Sequence, residues 1–234
     1  MEKKTSSQNE QRRGFLTKMA GSAAALGVSL FVNPFALHAG KNINGLAESP
    51  GADDLFNKLT GKHKMVFDVT QPHGIFPFAW PRVFIMTNEL TGTPEKDSNA
   101  VIVFRHNAVP YAMEDRLWQK YKFGEAFGVD DHLTAKPALR NPFWQPKPGE
   151  FKVPGIGNVA IGINELQNSG AMLCVCDMAL SVNSARIADK MNMDPAEVKK
   201  DFVAGLLPGI HLVPSGIWAL GRAQEHGCSY CFAS

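Results

Sequence analysis

The sequence predicts a single α/β domain built on a mostly parallel sheet of about five strands, with helices on both faces. Three observations carry this. Short apolar runs at 65–69 (MVFDV), 100–106 (AVIVFRH) and 171–176 (AMLCVC) lack the polar alternation of a half-exposed strand. They read as strands buried on both sides. Segments of helical spacing separate the runs, and strand–helix alternation feeds parallel pairing. The 195 of 234 residues that follow position 39 are enough for one domain with a real core.

Residues 11–18 (QRRGFLTK) place two arginines ahead of an apolar, Ala- and Gly-rich run over 19–32. That run is too short for an ordinary membrane span. Pro34 and then ALHA at 36–39 complete the charged, apolar, small-residue order of an export signal cut after Ala39. QRRGFLTK resembles the twin-arginine motif, which implies export of the folded chain to the periplasm by the twin-arginine machinery. The expected organisation is a signal peptide over 1–39, a linker over 40–62 and an α/β domain over 63–234, with no transmembrane segment in the mature protein. Removing 1–39 takes 5 of the 24 basic and 2 of the 22 acidic residues, leaving 19 and 20. A neutral chain without a Lys/Arg run or basic–aromatic stripe gives no support to a nucleic-acid partner, and none is expected.

Along the chain, residues 40–61 are rich in Gly, Asn, Ser and Asp, with one amphipathic turn at 53–59. The first strand runs over 65–69. A Pro/Gly loop leads to a helix over 81–90, entered at Pro81. The second strand spans 100–106, and a helix over 111–121 aligns Met113, Leu117, Trp118 and Tyr121. A short strand or extended loop is expected at 123–131. Five prolines between 134 and 154 rule out a long helix there and mark an irregular excursion, packed by Phe143 and Trp144. Helical spacing returns over 158–168, with Gly170 closing the helix. The central strand ends at Cys176, where Asp177 is the expected N-cap of the next helix. Asp194-Pro195-Ala196-Glu197 starts another helix with an N-cap, a Pro at the first position and a capping-box Glu. A strand over 209–213, a Pro-Ser-Gly turn, a helix over 217–226 and a last strand near 228–232 complete the order.

The chemistry gathers on thiols. All four cysteines lie at or after Cys174, which argues against a disulfide framework for the whole fold. Cys174 and Cys176 stand at the carboxyl end of a strand and face the start of a helix, where sites collect in open α/β sheets. A helix N-terminus favours a thiolate. Two apart on a strand, these thiols point to one face. Their Cα atoms lie about 6.5–7 Å apart, at the edge of disulfide reach. The competing reading is small buried thiols that pack like Ala. Cys228 and Cys231 form a CxxC after the last helix: a redox or resolving pair if the segment is a turn, split to opposite faces if it is a strand. CxC and CxxC together would hold a metal only if the last strand lay beside the central one.

His106, at the end of the second strand, is the first histidine candidate for the same crevice, and His73, after the first strand, the second. With Cys176 they would suit copper, zinc or proton transfer. His211 reads as a core histidine. Ser215 and Gly216 open the final helix and either bind an anion or simply cap it. Absence of GxSxG, HExxH, a Walker loop and GxGxxG removes support for hydrolase and nucleotide-enzyme readings.

LCVCDMAL (173–180), LLPGIHLVPSGIWALGRAQEHGCSY (206–230) and AVIVFRHNAVPYAMEDRLWQKY (100–121) together resemble the DsrE/DsrF-like sulfur-relay family, in particular its exported, twin-arginine-tagged members. The resemblance runs from about residue 64 to the C-terminus. It implies a small parallel α/β domain that forms homo-oligomers, carries a persulfide on one cysteine, and passes sulfur to a small sulfur species or a sulfur-transfer protein without a required cofactor. The family's cysteine falls on Cys176 or Cys174, with Cys176 favoured as nearest the helix start. Ser181-Val182-Asn183 stands where several relay members carry an Arg-rich segment. The expectation is thus a periplasmic sulfur carrier acting through Cys176, assisted by Cys174 or the CxxC. The alternatives are a Cys/His metal- or ligand-binding module of unassigned metal, and a structural oligomer with incidental thiols.

Overall fold

The computed structural model describes residues 51–234; the expected export signal lies outside them. Strand β1 (His63–Val69) leads through a loop to helix α1 (Phe76–Leu90), and β2 (Ser98–Phe104) follows. A 3₁₀ turn (His106–Ala112), two short helices, α2 (Asp115–Lys120) and α3 (Phe123–Phe127), and two small antiparallel pairs, β3 (Asp130–Asp131) with β4 (Lys136–Pro137) and β5 (Lys152–Val153) with β6 (Gly157–Asn158), make up the excursion. Then come α4 (Ile163–Asn168), β7 (Met172–Cys176), α5 (Asp177–Met191), α6 (Pro195–Ala204), β8 (Ile210–Val213), α7 (Gly216–Glu225) and β9 (Ser229–Phe232).

Five strands form one sheet in the order β8-β7-β2-β1-β9, all parallel. The expected α/β architecture is therefore present. The chain lays its strands outward from β1 to β8, then α7 carries it back across one face to place β9 on the far side of β1. Residues of alternate parity separate into two apolar clusters. Phe67, Ile102, Phe104, Leu173 and Val175 face α1, α4, α5 and the excursion. Val66, Val101, Val103, Met172 and Cys174 face α7. Phe56, fully buried, and Leu59 join this second cluster from a 3₁₀ turn at Asp53–Lys58, and Phe56 meets Trp218 edge-on at 5.8 Å. The folded unit thus takes in the amphipathic turn that the sequence set within the linker. Among the described residues no helix is long and apolar enough to cross a membrane.

Several expected boundaries move, each for a physical reason. Helix α1 starts five residues before Pro81, because Pro77 already occupies the first turn where a missing N–H costs nothing. The expected 111–121 helix is interrupted. Met113 is extended (φ −118°, ψ 150°) and bridges Leu206, while Glu114 donates to Gly205 O and Leu207 to Ala112 O. Of the short strand or extended loop expected at 123–131, only Asp130–Asp131 is a strand; Phe123–Phe127 forms α3, closed by Gly128 in the left-handed region. Only Ile163–Asn168 of the expected 158–168 helix is helical, since Asn158 pairs with Lys152 in a hairpin. The Asp194 cap is as expected: its Oδ1 accepts from Ala196 N at 2.9 Å and Glu197 N at 3.0 Å.

Candidate functional site

The carboxyl ends of β1, β2 and β7 gather a charged and thiol-bearing group. Asp68, near the end of β1, is 2% exposed. A bare carboxylate so placed would be costly, and it is fully engaged. Arg105 donates to it twice, Nε to Oδ1 at 2.6 Å and Nη2 to Oδ2 at 2.8 Å, and the Tyr230 hydroxyl on β9 donates at 2.8 Å. A bidentate pair of this kind fixes the guanidinium's direction as well as its charge. The hydrogen bonds from Asp68 hold the Arg105 pKa above its ordinary value against partial burial, and charge on Tyr230 and Cys176 adds to the effect.

Backbone geometry brings the final helix against this guanidinium. A Cβ on Gly216 would lie 2.7 Å from the Arg105 Cβ, so only glycine lets the start of α7 approach so closely. Ser215 caps that helix, its Oγ accepting from Trp218 N at 3.1 Å. Capping, the bland alternative for Ser215, is the role observed.

Cys176 completes the group. The β2–β7 ladder ends with Phe104 opposite Val175, so Arg105 and Cys176 follow side by side. Cys176, rather than the expected Asp177, is the N-cap of α5. Its backbone is extended (φ −78°, ψ 112°), as a cap requires, and its Sγ accepts from Ala179 N at 3.3 Å. Asp177 is already the first helical residue. Its buried carboxylate goes to Lys199 of α6, with Nζ at 2.9 and 3.0 Å from the two oxygens. The sulfur thus accepts from a backbone N–H of the first turn of α5, and Arg105 follows the end of the neighbouring strand.

No family model, curated protein or solved structure matches the chain.

Cys174 differs sharply from Cys176. It is fully buried beneath α7, opposite Val103 and His211, and burial pushes its thiol up to about 12. It behaves as a small apolar side chain. The expected common face is not kept: Cys174 belongs to the cluster under α7, whereas Cys176, at the strand's last position with its sulfur turned to the helix, belongs to the other. Cys228 and Cys231 are unbonded. The segment is a strand, so Cys228 packs under α7 and Cys231 against the opposite cluster. Burial raises both thiols, Cys228 to about 11 despite Lys64 nearby. The four cysteines do not converge either. Strands β2 and β1 stand between β7 and β9, a separation of about 14 Å at the usual strand spacing. Among the described residues no group of three or more His, Cys, Asp or Glu is placed to hold a metal.

His106 is exposed and left-handed (φ 52°), and its carbonyl accepts from Asn183 Nδ2 at 2.8 Å. The same amide group donates to Ala179 O at 3.0 Å, tying the turn after Arg105 to the first turn of α5. His106 thus contributes its backbone, not its ring, to the site's frame. His73 is exposed in the loop after β1, its ring 5.0 Å from that of Phe76. His211 is half-buried on β8, and its pKa is lowered by burial and by Lys58.

Asp68, Arg105 and Tyr230 escape a search for motifs. The clue was available, however: Asp68 is the single charge in MVFDV and Arg105 the single cation in AVIVFRH. A charge inside a strand buried on both faces needs a partner.

Proposed function

We propose that the protein is a thiol carrier of sulfane sulfur, with Cys176 as acceptor and Arg105 as the fixed cation that draws an anionic donor to it. The observation that carries this reading is the Cys176 sulfur capping α5 beside a guanidinium locked by Asp68 and Tyr230. Cys176 keeps 6% exposure where Cys174 keeps none, and the Arg105 side chain beside it is 26% exposed. With thiosulfate, the thiolate attacks the outer sulfur. The sulfur–sulfur bond breaks, sulfite leaves with the electron pair, and Cys176 retains the sulfur as a persulfide. With a polysulfide, a chain one sulfur shorter leaves instead. In either case the electrons balance without an external oxidant. A persulfide made in this way needs no cofactor, and it passes on by the same displacement to a small thiol or a sulfur-transfer protein. The resemblance to exported DsrE/DsrF-like proteins and the QRRGFLTK segment place this chemistry in the periplasm within this reading.

The test is intact-mass spectrometry of reduced protein after incubation with thiosulfate or polysulfide. One added sulfur is expected on the wild type and on Cys174→Ser, and none on Cys176→Ser, where the hydroxyl preserves the cap. A wild type without added mass, or a Cys176→Ser protein that loads equally, overturns the reading.

A further inference from the structure

Helix α1 is apolar on two sides. Its inner side buries Pro77, Phe78, Pro81 and Ile85 against the sheet. Its outer side leaves Phe76, Trp80, Val83, Met86 and Leu90 exposed, at 36, 42, 40, 36 and 81%. A helix apolar all round is normally buried all round. The outer residues also follow a pattern. Phe76, Val83 and Leu90 recur every seven residues, with Ala79 and Met86 at the intervening positions and Trp80 alongside. This is the seam by which one helix packs against another.

The polar residues of the same helix are arranged for dry contact. Thr87 Oγ1 donates to Val83 O at 2.7 Å, Asn88 Nδ2 to Phe84 O at 3.0 Å and Thr91 Oγ1 to Thr87 O at 2.9 Å. Each satisfies itself within the helix rather than from solvent. Arg82 is drawn inward to Glu95 and to the carbonyls of Ala160 and Glu165. No lysine lies on α1, so the cationic rim that an anionic membrane surface requires is missing.

We propose that the outer face of α1 packs on the same face of a second copy of this chain about a two-fold axis. The exposed side chains offer roughly 400 Å² of apolar surface per copy, within the range at which a surface patch marks an interaction site. Two copies face to face bury roughly 800–1,000 Å² through the seam, at the lower bound for a specific interface. A self-complementary seam without like charges along its length suits an isologous dimer. The inference is independent of the sulfur chemistry at Cys176.

Sedimentation velocity of the full chain over a range of concentrations reads this directly. The wild type is expected at twice its 25.5 kDa mass, and Trp80→Glu and Leu90→Glu at half the wild-type value with unchanged circular dichroism. A wild type that stays at 25.5 kDa at its highest soluble concentration overturns the proposal. So does an assembly whose mass both variants preserve, as one held by the apolar run at 19–32 would. Should the charged variants not fold, tryptophan fluorescence decides. Acrylamide quenching of the wild type must increase on dilution, and this increase must vanish in Trp80→Phe; quenching independent of concentration overturns the proposal.

Discussion

Replacing Asp68 by Asn probes the site's foundation. The substitution keeps the side chain's shape and removes its charge. Asp68 is 2% exposed and accepts three hydrogen bonds, two from Arg105 and one from Tyr230. Removing one partner of a buried ion pair costs about 3–5 kcal/mol, mostly because the surviving charge is left uncompensated. Here the survivor is Arg105, whose side chain is 26% exposed, so water recovers part of the loss and about 2–3 kcal/mol is expected. The new amide also turns donors toward a guanidinium that has only donors to offer. At about 2–4 °C per kcal/mol for a domain of this size, Tm should fall by roughly 5–10 °C. Thermal unfolding under reductant at neutral pH measures it. A double-mutant cycle with Arg105→Gln isolates the pair, and the two losses together should fall short of their sum by more than about 1 kcal/mol. An Asp68→Asn protein that melts within about 1 °C of the wild type, or losses that add, would refute the view that this pair holds the site.

Other outcomes follow from the same geometry. Gly216→Ala sets a methyl 2.7 Å from the Arg105 Cβ; it should cost about 1–3 kcal/mol in a denaturant titration and slow sulfur loading, because the guanidinium must move. Cys174 and Cys228, raised to about 12 and about 11, should resist iodoacetamide in the native state at pH 8, where a thiol of pKa 12 is about one part in ten thousand thiolate. Peptide mapping should find modification concentrated on Cys176 and the half-buried Cys231. Because the folded-state pKa of Cys174 lies above its unfolded value, its stabilising contribution is complete below about pH 9 and is lost as pH rises toward about 12. Buried Tyr111, also raised by burial, adds a loss in the alkaline range. The denaturant midpoint should therefore decline above pH 9, with a shallower slope in Cys174→Ala.

The inner strands β2 and β7 and the end of β1 were legible because they are buried on both faces, and burial writes itself as an uninterrupted apolar run; the edge strands β8 and β9 keep exposed positions such as Leu212 and Tyr230. Helix ends were legible where local chemistry sets them, as at Asp194-Pro195. They were obscure where a distant segment intervenes. Nothing near Met113 announces that it will bridge Leu206, and that contact divides an otherwise regular helical stripe. The start of α1 was ambiguous for another reason. Pro77 and Pro81 stand four apart, and either satisfies the rule for a first-turn proline.

The site was half legible, and the missing half is a matter of register. Cys176 declares itself as the last residue of a strand before a helix. Its neighbours come from other strands, and only the pairing decides which. Asp68 lies opposite Val103 and Val103 opposite Cys174. Arg105 and Cys176 follow directly after that ladder's last pair, Phe104 and Val175, and Tyr230 reaches Asp68 from β9 because the final crossover returns to the far side of β1. A shift of one residue between β1 and β2 would turn Asp68 into the opposite cluster and leave Arg105 without its carboxylate. The alternation that sorts the core therefore also assembles the site. Val66 and Asp68, Val103 and Arg105, and Cys174 and Cys176 are successive steps along three strands, apolar or inert where α7 covers the sheet, charged or thiol-bearing where the sheet ends. Gly216 then lets α7 stop against Arg105 rather than over it. The buried ion pair, which adds little to the stability of a core by itself, fixes the direction of the Arg105 guanidinium at this edge of the sheet.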